Sequence, residues 1–337
     1  MSPSLHQAHK KLALEFSNRL LAAKPGSAMT EVTPLLMADF IWHGPHPFNA
    51  LSGIDVFERE FWIPLRSALP DLSRRNDILI AGRFHERDWV CATGYYTGTF
   101  AGDWLGIPAH GGVLNVRFGE FIEFRDGKIA QVRVLLDLLD VMRQAGIRIL
   151  APSLGQEGLV SGPSTHDGVI LEAVDQAESR KSLELVEAMI GGLGRFDGET
   201  LQSMGMERFW HPNMMWYGPS GIGTTRGIGG FQAYHQQPFL QALPDRKGGN
   251  HLARFAEGAY CASTGWPSMY ATHKGGGWMG LPPTGRRLEM RIMDFWRREG
   301  DMLVENWVFI DLIDVLRQMG FDVFARMRAQ LQGGGRL

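Results

Sequence analysis

The sequence predicts an α+β fold that is built twice along one chain of 337 residues. Residues 134–146 and 308–320 share eight of thirteen positions, and the second stretch begins 174 residues after the first (308 − 134). The same offset links further motifs over more than a hundred residues, which indicates an internal duplication. A Gly- and Pro-containing stretch without periodicity separates the halves. We therefore expect copies at 1–146 and 173–332, joined by a linker at 147–172.

In the first copy, apolar residues at helical spacing come before a series of strand-like runs. Asp126 and Gly127 give a hairpin signal between the last two runs. Helices gathered before and against one antiparallel sheet make an α+β unit. In chain order, the predicted elements are helices at 5–23 and 31–37, a strand and turn at 39–45, a helix that begins at Gly53, and strands at 78–84, 89–100, 113–124 and 129–136.

The second copy repeats these signals at the constant offset. A helical pattern at 182–193 repeats the first helix. The run Trp216-Tyr-Gly-Pro219 matches Trp42-His-Gly-Pro45, again 174 residues apart (216 − 42). Two matching copies predict a tandem pair and not a solenoid. The Gly-rich tail at 333–337 is predicted to be disordered.

Composition excludes several classes of function. Hydrophobic residues make up 44% and charged residues 21% of the chain, the net charge is −2, and the sequence pI is about 6.6. These values are typical of a soluble globular protein, and without a long basic run they argue against nucleic acid and anionic membranes as partners. No secretory signal or membrane-spanning stretch is visible, so we expect a cytoplasmic protein. Cys91 and Cys261 are expected to be buried free thiols.

The repeated stretch places Asp137 and Asp311 where the last strand of each copy runs into a short helix. An Asp at this junction can cap the helix, which stabilises the carboxylate and lowers its pKa. It can also act as a base, which requires an apolar pocket that raises its pKa. The residues alone leave both interpretations open. Asp140 and Asp314, three residues further on, are predicted to be solvated first-turn acids.

Four motifs shared by the copies carry a family resemblance. They are a Trp-x-Gly-Pro turn, a Gly-Ile-x-x-Phe helix start, a Leu-Pro-Asp turn, and a closing Asp-Leu-x-x-x-x-Arg-Gln-x-Gly stretch. With them, nearly all of both halves resembles the SnoaL-like polyketide cyclases, which belong to the wider ketosteroid-isomerase and nuclear-transport-factor-like superfamily. The resemblance is specific for the fold and much weaker for the activity, because this fold hosts many unrelated functions.

The resemblance implies a cystatin-like α+β roll in each copy, with a curved, cone-shaped antiparallel sheet wrapped around a deep apolar pocket and capped by the N-terminal helices. In characterised relatives this pocket closes a ring by intramolecular aldol condensation, without metal or cofactor. The Asp at the end of the last strand serves as acid and base there, and Asp137 and Asp311 are the matching positions. The family is normally a single domain that forms dimers or tetramers, so the fusion leaves open whether both pockets work.

The candidate substrate-binding residues are polar groups on one long strand and aromatic side chains. With period 2, Arg117 and Glu120 point to opposite faces, as do Arg291 and Asp294, so one of each pair can reach the pocket. The alternative is a pair on the exposed face. Aromatic rings would form walls for a flat polycyclic ligand, and the alternative is ordinary core. These aromatic candidates, with His43, are Trp42, Trp62, Tyr95, Trp104, Trp216, Tyr217, Trp266, Trp278 and Trp307.

No metal or cofactor is predicted. His43 and His46 flank a turn, and no carboxylate or Cys pattern accompanies them. The Gly-rich stretch at 221–226 has Arg226 where the dinucleotide fingerprint needs its third Gly. His110 and His235 are further candidates for pocket acids and bases.

These observations predict a cofactor-free acid/base enzyme of the SnoaL-like class, acting on a hydrophobic carbonyl compound by polyketide-type aldol cyclisation. The alternatives are an isomerase, dehydratase or epoxide hydrolase on the same fold, and a non-catalytic small-molecule binding or scaffold protein. The two copies are expected to pair through their sheets as a pseudo-dimer, and further assembly of whole chains stays open. Asp311 is predicted to be the better acid/base, because Trp307 stands where the first copy has Arg133.

Overall fold

The computed structural model describes residues 3–24 and 26–333, so the predicted tail at 334–337 lies outside the described residues. The chain divides into two compact units. The first contains the chain up to Ile149, the segment His166–Ala173 and the chain from Asp322 onwards. The second contains Leu150–Thr165 and Val174–Phe321. Each unit therefore takes in a segment that lies outside its own copy in the sequence.

The first unit begins with helices and continues into one sheet of six strands. Its helices are α1 (Pro3–Ala22), α2 (Ala28–Val32), α3 (Ile54–Phe57), α4 (Ile63–Ala68) and α5 (Leu138–Gln144), and its strands are β1 (Leu36–His43), β2 (Ala50–Ser52), β3 (Ser73–Phe84), β4 (Arg87–Thr99), β5 (Val113–Arg125) and β6 (Lys128–Leu136). The strand order is β2-β1-β6-β5-β4-β3. Strands β3 to β6 form an antiparallel meander, whereas β1 pairs in parallel with β6.

The second unit repeats this plan. Its helices are α6 (Gln176–Leu193), α7 (Gly227–Phe231), α8 (Gln237–Ala242) and α9 (Leu312–Gln318), and its strands are β7 (Trp210–Tyr217), β8 (Thr225–Arg226), β9 (Lys247–Gly248), β10 (His251–Glu257), β11 (Tyr260–Thr272), β12 (Arg287–Glu299) and β13 (Met302–Ile310). The main path of the sheet is β10-β11-β12-β13-β7-β8, with β9 paired to β11. The last helix of the chain, α10 (Val323–Gln332), belongs to the first unit.

The predicted fold class is confirmed: each unit is an α+β fold with helices packed on a curved sheet. The sheets are mixed and not purely antiparallel, because β1 and β7 run parallel to their neighbours β6 and β13. Strand β3 starts at Ser73, five residues before the predicted start, because its first residues are polar and break the apolar pattern. Residues 147–172 contain no helix or strand, and one bridge joins Val169 to Leu79 in β3.

The Trp-x-Gly-Pro turn has a steric reason that holds in both units. A Cβ added to Gly44 would overlap the Trp42 ring, and one added to Gly218 would overlap the Trp216 ring. The strand can therefore turn back over its own Trp only where the following residue but one has no side chain. The turn fixes these Trp rings against the interior, where Trp42 and Trp216 are each 2% exposed.

Both units have a loosened helical turn at the same place. A π-helical turn spans Glu58–Trp62 in the first unit and Gln232–Gln236 in the second. Each precedes a proline, Pro64 or Pro238, in the first turn of the next helix. Proline has no amide hydrogen and its ring clashes with the carbonyl four residues earlier, so the regular α-helical ladder cannot continue there.

Candidate active site

Each sheet has an inner face, which we define as the face that packs against the helices. In the first unit the ring of Trp42 stacks on Phe61 with centroids 4.5 Å apart. In the second unit Trp216 stacks on His235 at 3.9 Å. Strand register then assigns the other residues, because alternate residues point to the same face. Glu120 and Asp294 lie on the inner face with these Trp rings.

The interior of the first unit is filled. Its inner cavity has a volume of about 10 Å³, which is room for about one water molecule. The carboxylate of Glu120, 3% exposed, forms an ion pair with Arg74 at 2.6 Å. Arg74 also donates a hydrogen bond to the Tyr96 hydroxyl at 3.2 Å. The residues around this cavity are Phe16, Ser17, Leu20, Leu21, Trp42, Phe57, Phe61, Trp62, Arg74, Tyr96 and Glu120.

The second unit keeps the inner carboxylate but lacks its cation. In the first sheet Arg74 pairs with Tyr96, which pairs with Val116 on the Glu120 strand. In the second sheet the corresponding row is Gly248, Met269 and Met290, and Met290 lies 174 residues after Val116. Glycine therefore occupies the position of Arg74. Within the described part of the chain, no cation lies at ion-pair distance from Asp294 (Arg291, Arg297 and Arg298 pair elsewhere).

Asp294 is surrounded by protein and still keeps solvent-accessible surface, as expected of a carboxyl group that lines a cavity. Burial raises its pKa to about 7. The Asn306 side-chain amide, which donates to Asp294 Oδ1 at 3.5 Å, and the charge of Arg254 act in the opposite direction on this pKa. Asn306 is fixed by a second bond of 3.0 Å to the Phe295 carbonyl oxygen. A carboxyl group with this pKa can both accept and release a proton near neutral pH.

Solvent reaches the inner face of the second unit at positions that are closed in the first. The closed residues are 3% exposed or less, and their counterparts at the 174-residue offset are all partly exposed. The pairs are Glu120 and Asp294, Phe118 and Ile292, Phe61 and His235, and Leu65 and Phe239. The sequence-equivalent of Trp62, which lines the first cavity, is the smaller Gln236.

His235 supplies a neutral imidazole to this interior. Burial lowers the pKa of His235 to about 3, so the ring carries no charge at physiological pH. Its Nδ1 is buried without a hydrogen-bond partner, and so is Oε1 of the neighbouring Gln236. Buried polar atoms usually have a partner, so these two atoms are places where a bound molecule can form hydrogen bonds.

A groove of about 570 Å³ lies in the same unit beside these residues. The Trp278 ring on its wall contacts Phe239 with centroids 5.5 Å apart, and Phe239 contacts His235 at 5.4 Å. Aromatic contacts therefore run from the groove to the inner face. The lining residues are Ala151, Pro152, Ser153, Leu154, Gly221, Ile222, Tyr234, Pro238, Gly276, Gly277, Trp278, Met279, Gly280, Leu281 and Pro282, of which none is charged.

Asp311 and Asp137 both cap helices. The Asp314 amide donates to Asp311 Oδ1, and the Asp140 amide donates to Asp137 Oδ1, each at 3.2 Å. Asp311 also forms an ion pair with Arg291 at 3.2 Å, so its surroundings are not the apolar wall that the sequence predicted. Asp314 is 6% exposed, and the prediction of a solvated acid is wrong for it.

The residues expected beside Asp311 lie on the outer face of the second sheet. Trp307 stacks on Tyr217 at 5.3 Å, and its indole N–H donates to the Ser161 carbonyl oxygen at 2.7 Å. The guanidinium of Arg291 lies 5.2 Å from the centre of the Trp266 ring. These groups therefore face away from Trp216 and Asp294.

The first unit has the same arrangement on its outer face. Asp137 contributes to the electrostatic environment of Arg117 and Tyr95, which are its neighbours there. Burial lowers the pKa of Arg117, which is 2% exposed, so the alternative of an exposed pair is wrong for Arg117 as it is for Glu120. Arg133 instead lies 3.8 Å from Glu123, and burial lowers its pKa to about 10.

The predicted site residues thus divide between two faces of each sheet. Those at the inner face or the groove are Trp42, Trp62, Trp104, Glu120, Trp216, Trp278 and Asp294. Those on the outer face or its edge are His43, Tyr95, Arg117, Asp137, Tyr217, Trp266, Arg291, Trp307 and Asp311. Sequence analysis did not single out Arg254 or Asn306. A signal existed, because both are polar residues inside otherwise apolar strand patterns.

Two further searches of the structure returned nothing. No group of three or more His, Cys, Asp or Glu side chains within residues 3–24 and 26–333 is placed to hold a metal ion. Over the same residues, no helix has the length and apolar character needed to cross a membrane.

Comparison with known proteins gives one family and several similar structures. AclR from Streptomyces galilaeus is 23% identical over 42% of this chain and 97% of its own, with a TM-score of 0.34. Wild-type IdmH from Streptomyces antibioticus is 22% identical over 41% and 99%, with a TM-score of 0.33. An NTF2-like protein from Burkholderia xenovorans is 16% identical over 42% and 97%, with a TM-score of 0.33. No curated protein sequence gives a significant match.

The model of the SnoaL-like polyketide cyclase family matches the chain twice, at residues 19–145 and 199–319. These matches cover more than half of the sequence and fall in the two repeated copies. The chain therefore belongs to the SnoaL-like polyketide cyclase family, as a tandem of two copies.

Proposed function

We propose that the second unit is a cofactor-free acid/base enzyme that acts on a hydrophobic carbonyl compound, by aldol cyclisation of the polyketide type. The observation that carries the proposal is the solvent-accessible inner carboxyl group of Asp294, which lacks the cation that neutralises Glu120 in the first unit. Family membership supports the reaction class, and the uncharged groove with its aromatic wall supports an apolar substrate.

In this mechanism the Asp294 carboxylate takes a proton from the carbon next to a carbonyl group and leaves an enolate. The neutral imidazole of His235 donates a hydrogen bond to the enolate oxygen. The enolate carbon then bonds to a second carbonyl carbon of the same molecule, whose C–O π bond breaks. The new alkoxide takes the proton back from Asp294, so no atom is gained or lost and no oxidant is needed.

The first unit has a different role in this proposal. Its inner carboxylate is held by Arg74, and its cavity of about 10 Å³ leaves no room for a ring system. These observations favour a scaffold function for the first copy, which is the non-catalytic alternative applied to half of the chain.

Proton abstraction can be tested before the natural substrate is known. The probe is 2-tetralone, a bicyclic ketone with acidic hydrogens next to its carbonyl group, and NMR in D₂O measures how fast deuterium replaces them. We expect the protein to accelerate this exchange and Asp294→Asn to lower the acceleration about 10²- to 10⁴-fold. Asp301→Asn, at an exposed acid of the same unit, is the matched control. Tight binding without accelerated exchange would point to a binding protein.

The same assay decides between Asp294 and the residues that the family resemblance implies. Asp137→Asn and Asp311→Asn keep a good N-cap residue, so both helices retain their cap. We expect both variants to keep most of the exchange rate. A large loss in Asp311→Asn with none in Asp294→Asn would transfer the acid/base role to Asp311, as the sequence predicted.

His235→Phe tests the proposed hydrogen-bond donor. Phenylalanine is the residue of the first unit at this position, Phe61, so the stacking on Trp216 is retained. We expect the exchange rate to fall about 10²-fold while the affinity for a neutral ligand, 2-naphthol, changes little. An unchanged exchange rate would remove His235 from the mechanism.

A further inference from the structure

Arg254 is a cation on the inner face of the second sheet that neither the family motifs nor the proposed reaction uses. It lies in the edge strand β10, pairs with Ser263, and through Ser263 is in register with Asp294. The corresponding row in the first sheet is Leu79, Ala92 and Glu120. The second unit has therefore lost the cation next to its carboxylate and gained another cation two strands away.

The hydrogen-bonding capacity of Arg254 is largely unused. Its Nε is buried and has no hydrogen-bond partner. Its one side-chain bond, from Nη2 to His251 Nδ1, is long at 3.4 Å. Burial and the charge of Arg254 lower the pKa of His251, which keeps that imidazole in the neutral form that can accept the bond. A buried charged donor without a partner is costly, and a ligand oxygen would remove that cost.

Arg254 and Asp294 sense each other without forming an ion pair. The charge of Arg254 acts on the Asp294 carboxyl group, and both act on the buried thiol of Cys261 between them. Their strands are separated by two strand spacings, about 9.5 Å. Glu187 on α6 is exposed, also acts on Cys261, and makes no ion pair with Arg254 among the described residues. The space between the cation and the carboxyl group is thus suited to one molecule that meets both.

We propose that Arg254 binds a carboxylate of the substrate, so that the second unit acts on a hydrophobic ketone that also carries a carboxylate group. This inference rests on the proposed function, because Asp294 takes the proton while Arg254 fixes the other end of the molecule. Guanidinium and carboxylate groups match in a planar, two-bond geometry, which gives orientation as well as affinity. The apolar groove then accommodates the uncharged part of the substrate.

The test compares two ligands of equal shape, 2-naphthoate and the neutral 2-naphthamide, by isothermal titration calorimetry. In the unmodified protein at pH 8 we expect 2-naphthoate to bind about ten- to hundredfold more tightly, and less so at high salt. Arg254→Leu, which restores the residue of the first copy, should abolish this preference and leave 2-naphthamide binding unchanged. Arg254→Lys should retain part of the preference, because the charge stays while the two-bond geometry is lost.

The affinity for 2-naphthamide reports whether each variant is folded, and Arg287→Leu, an exposed arginine on the Tyr270 ring, is the matched control. Equal affinity for both ligands in the unmodified protein would overturn the inference, as would an undiminished preference in Arg254→Leu. The 2-tetralone exchange assay uses an uncharged probe and depends on Asp294. It can therefore succeed while this inference fails, and the carboxylate preference can hold while the exchange assay fails.

Discussion

Two carboxyl groups at equivalent positions have opposite environments. Glu120 is buried against Arg74 at 2.6 Å, whereas burial without an ion pair raises the pKa of Asp294 to about 7. Removing one member of a buried ion pair leaves the other charge unpaired, which costs about 3–5 kcal/mol. We therefore expect Glu120→Gln to lower the free energy of unfolding of the first unit by about that amount. Urea denaturation with a probe in the first unit measures it, and an unchanged midpoint would contradict the buried pair.

Asp294→Asn is expected to have the opposite sign, and only at high pH. The native state holds the Asp294 proton up to about pH 7, whereas an unfolded Asp releases it near pH 4. Stability from this group is therefore fully present below pH 4 and is lost as the pH rises through 7. Asn resembles the protonated form at every pH. We expect the variant to match the original protein at pH 4 and to exceed it at pH 8, by up to about 4 kcal/mol.

Denaturation of both proteins at the two pH values checks this prediction. Burial also raises the pKa of Asp77, but that contribution cancels in the difference between the two proteins. A difference that is the same at pH 4 and pH 8 would show that Asp294 titrates normally.

Sequence analysis established alternation at the residue scale but not direction. Period 2 correctly placed Trp307 with Asp311, and Arg117 opposite Glu120, because it depends only on strand geometry. Which of the two faces packs on the helices depends on tertiary contacts, and the structure puts Asp294 there in place of Asp311. The exchange of Arg74 for Gly248 was hidden as well, because short β9 and the bulge in β11 interrupt the register.

At the scale of elements, α10 follows the second copy in the chain but belongs to the first unit. Met327 is fully buried, and its Cε lies 3.5 Å from the position of a Cβ on Gly106. Burial of a Met side chain that cannot be replaced costs about 2–5 kcal/mol when it is truncated to Ala. We expect Met327→Ala to speed amide hydrogen exchange in residues 102–108 of the first unit. Residues 276–282, the matching loop of the second unit, should be unaffected, and faster exchange there instead would contradict this assignment.

The order of helices and strands was predictable because it rests on local patterns of apolar residues. The place of α10 was not, because its apolar spacing says that a helix needs a partner but not which one. The same holds for residues 150–165, which carry no periodic pattern and still provide hydrogen bonds to the second sheet, such as Ser161 to Trp307.

For the whole molecule, the expected pairing of the two copies through their sheets stays a prediction. A compact chain of 337 residues has a radius of gyration of about 20 Å. Small-angle X-ray scattering of the monomer should give a value near this if the copies form a pseudo-dimer. Two bodies connected only by their linker would give a distinctly larger value, and light scattering of the same sample reports whether whole chains assemble further.

The two units are expected to respond differently to the same exchange of residues. Trp62 lines the filled cavity of the first unit, and Gln236 stands at that position in the second. Gln236→Trp should fill the second interior as Trp62 fills the first, at a cost in stability of about 1–3 kcal/mol from overpacking. We expect it to weaken 2-naphthol binding at least tenfold and to abolish 2-tetralone exchange. The reciprocal Trp62→Gln removes packing from the first unit, where the ion pair of Glu120 persists, and should leave exchange unchanged. If Trp62→Gln abolished exchange in a folded protein while Gln236→Trp preserved it, the catalytic and scaffold roles would have to be interchanged.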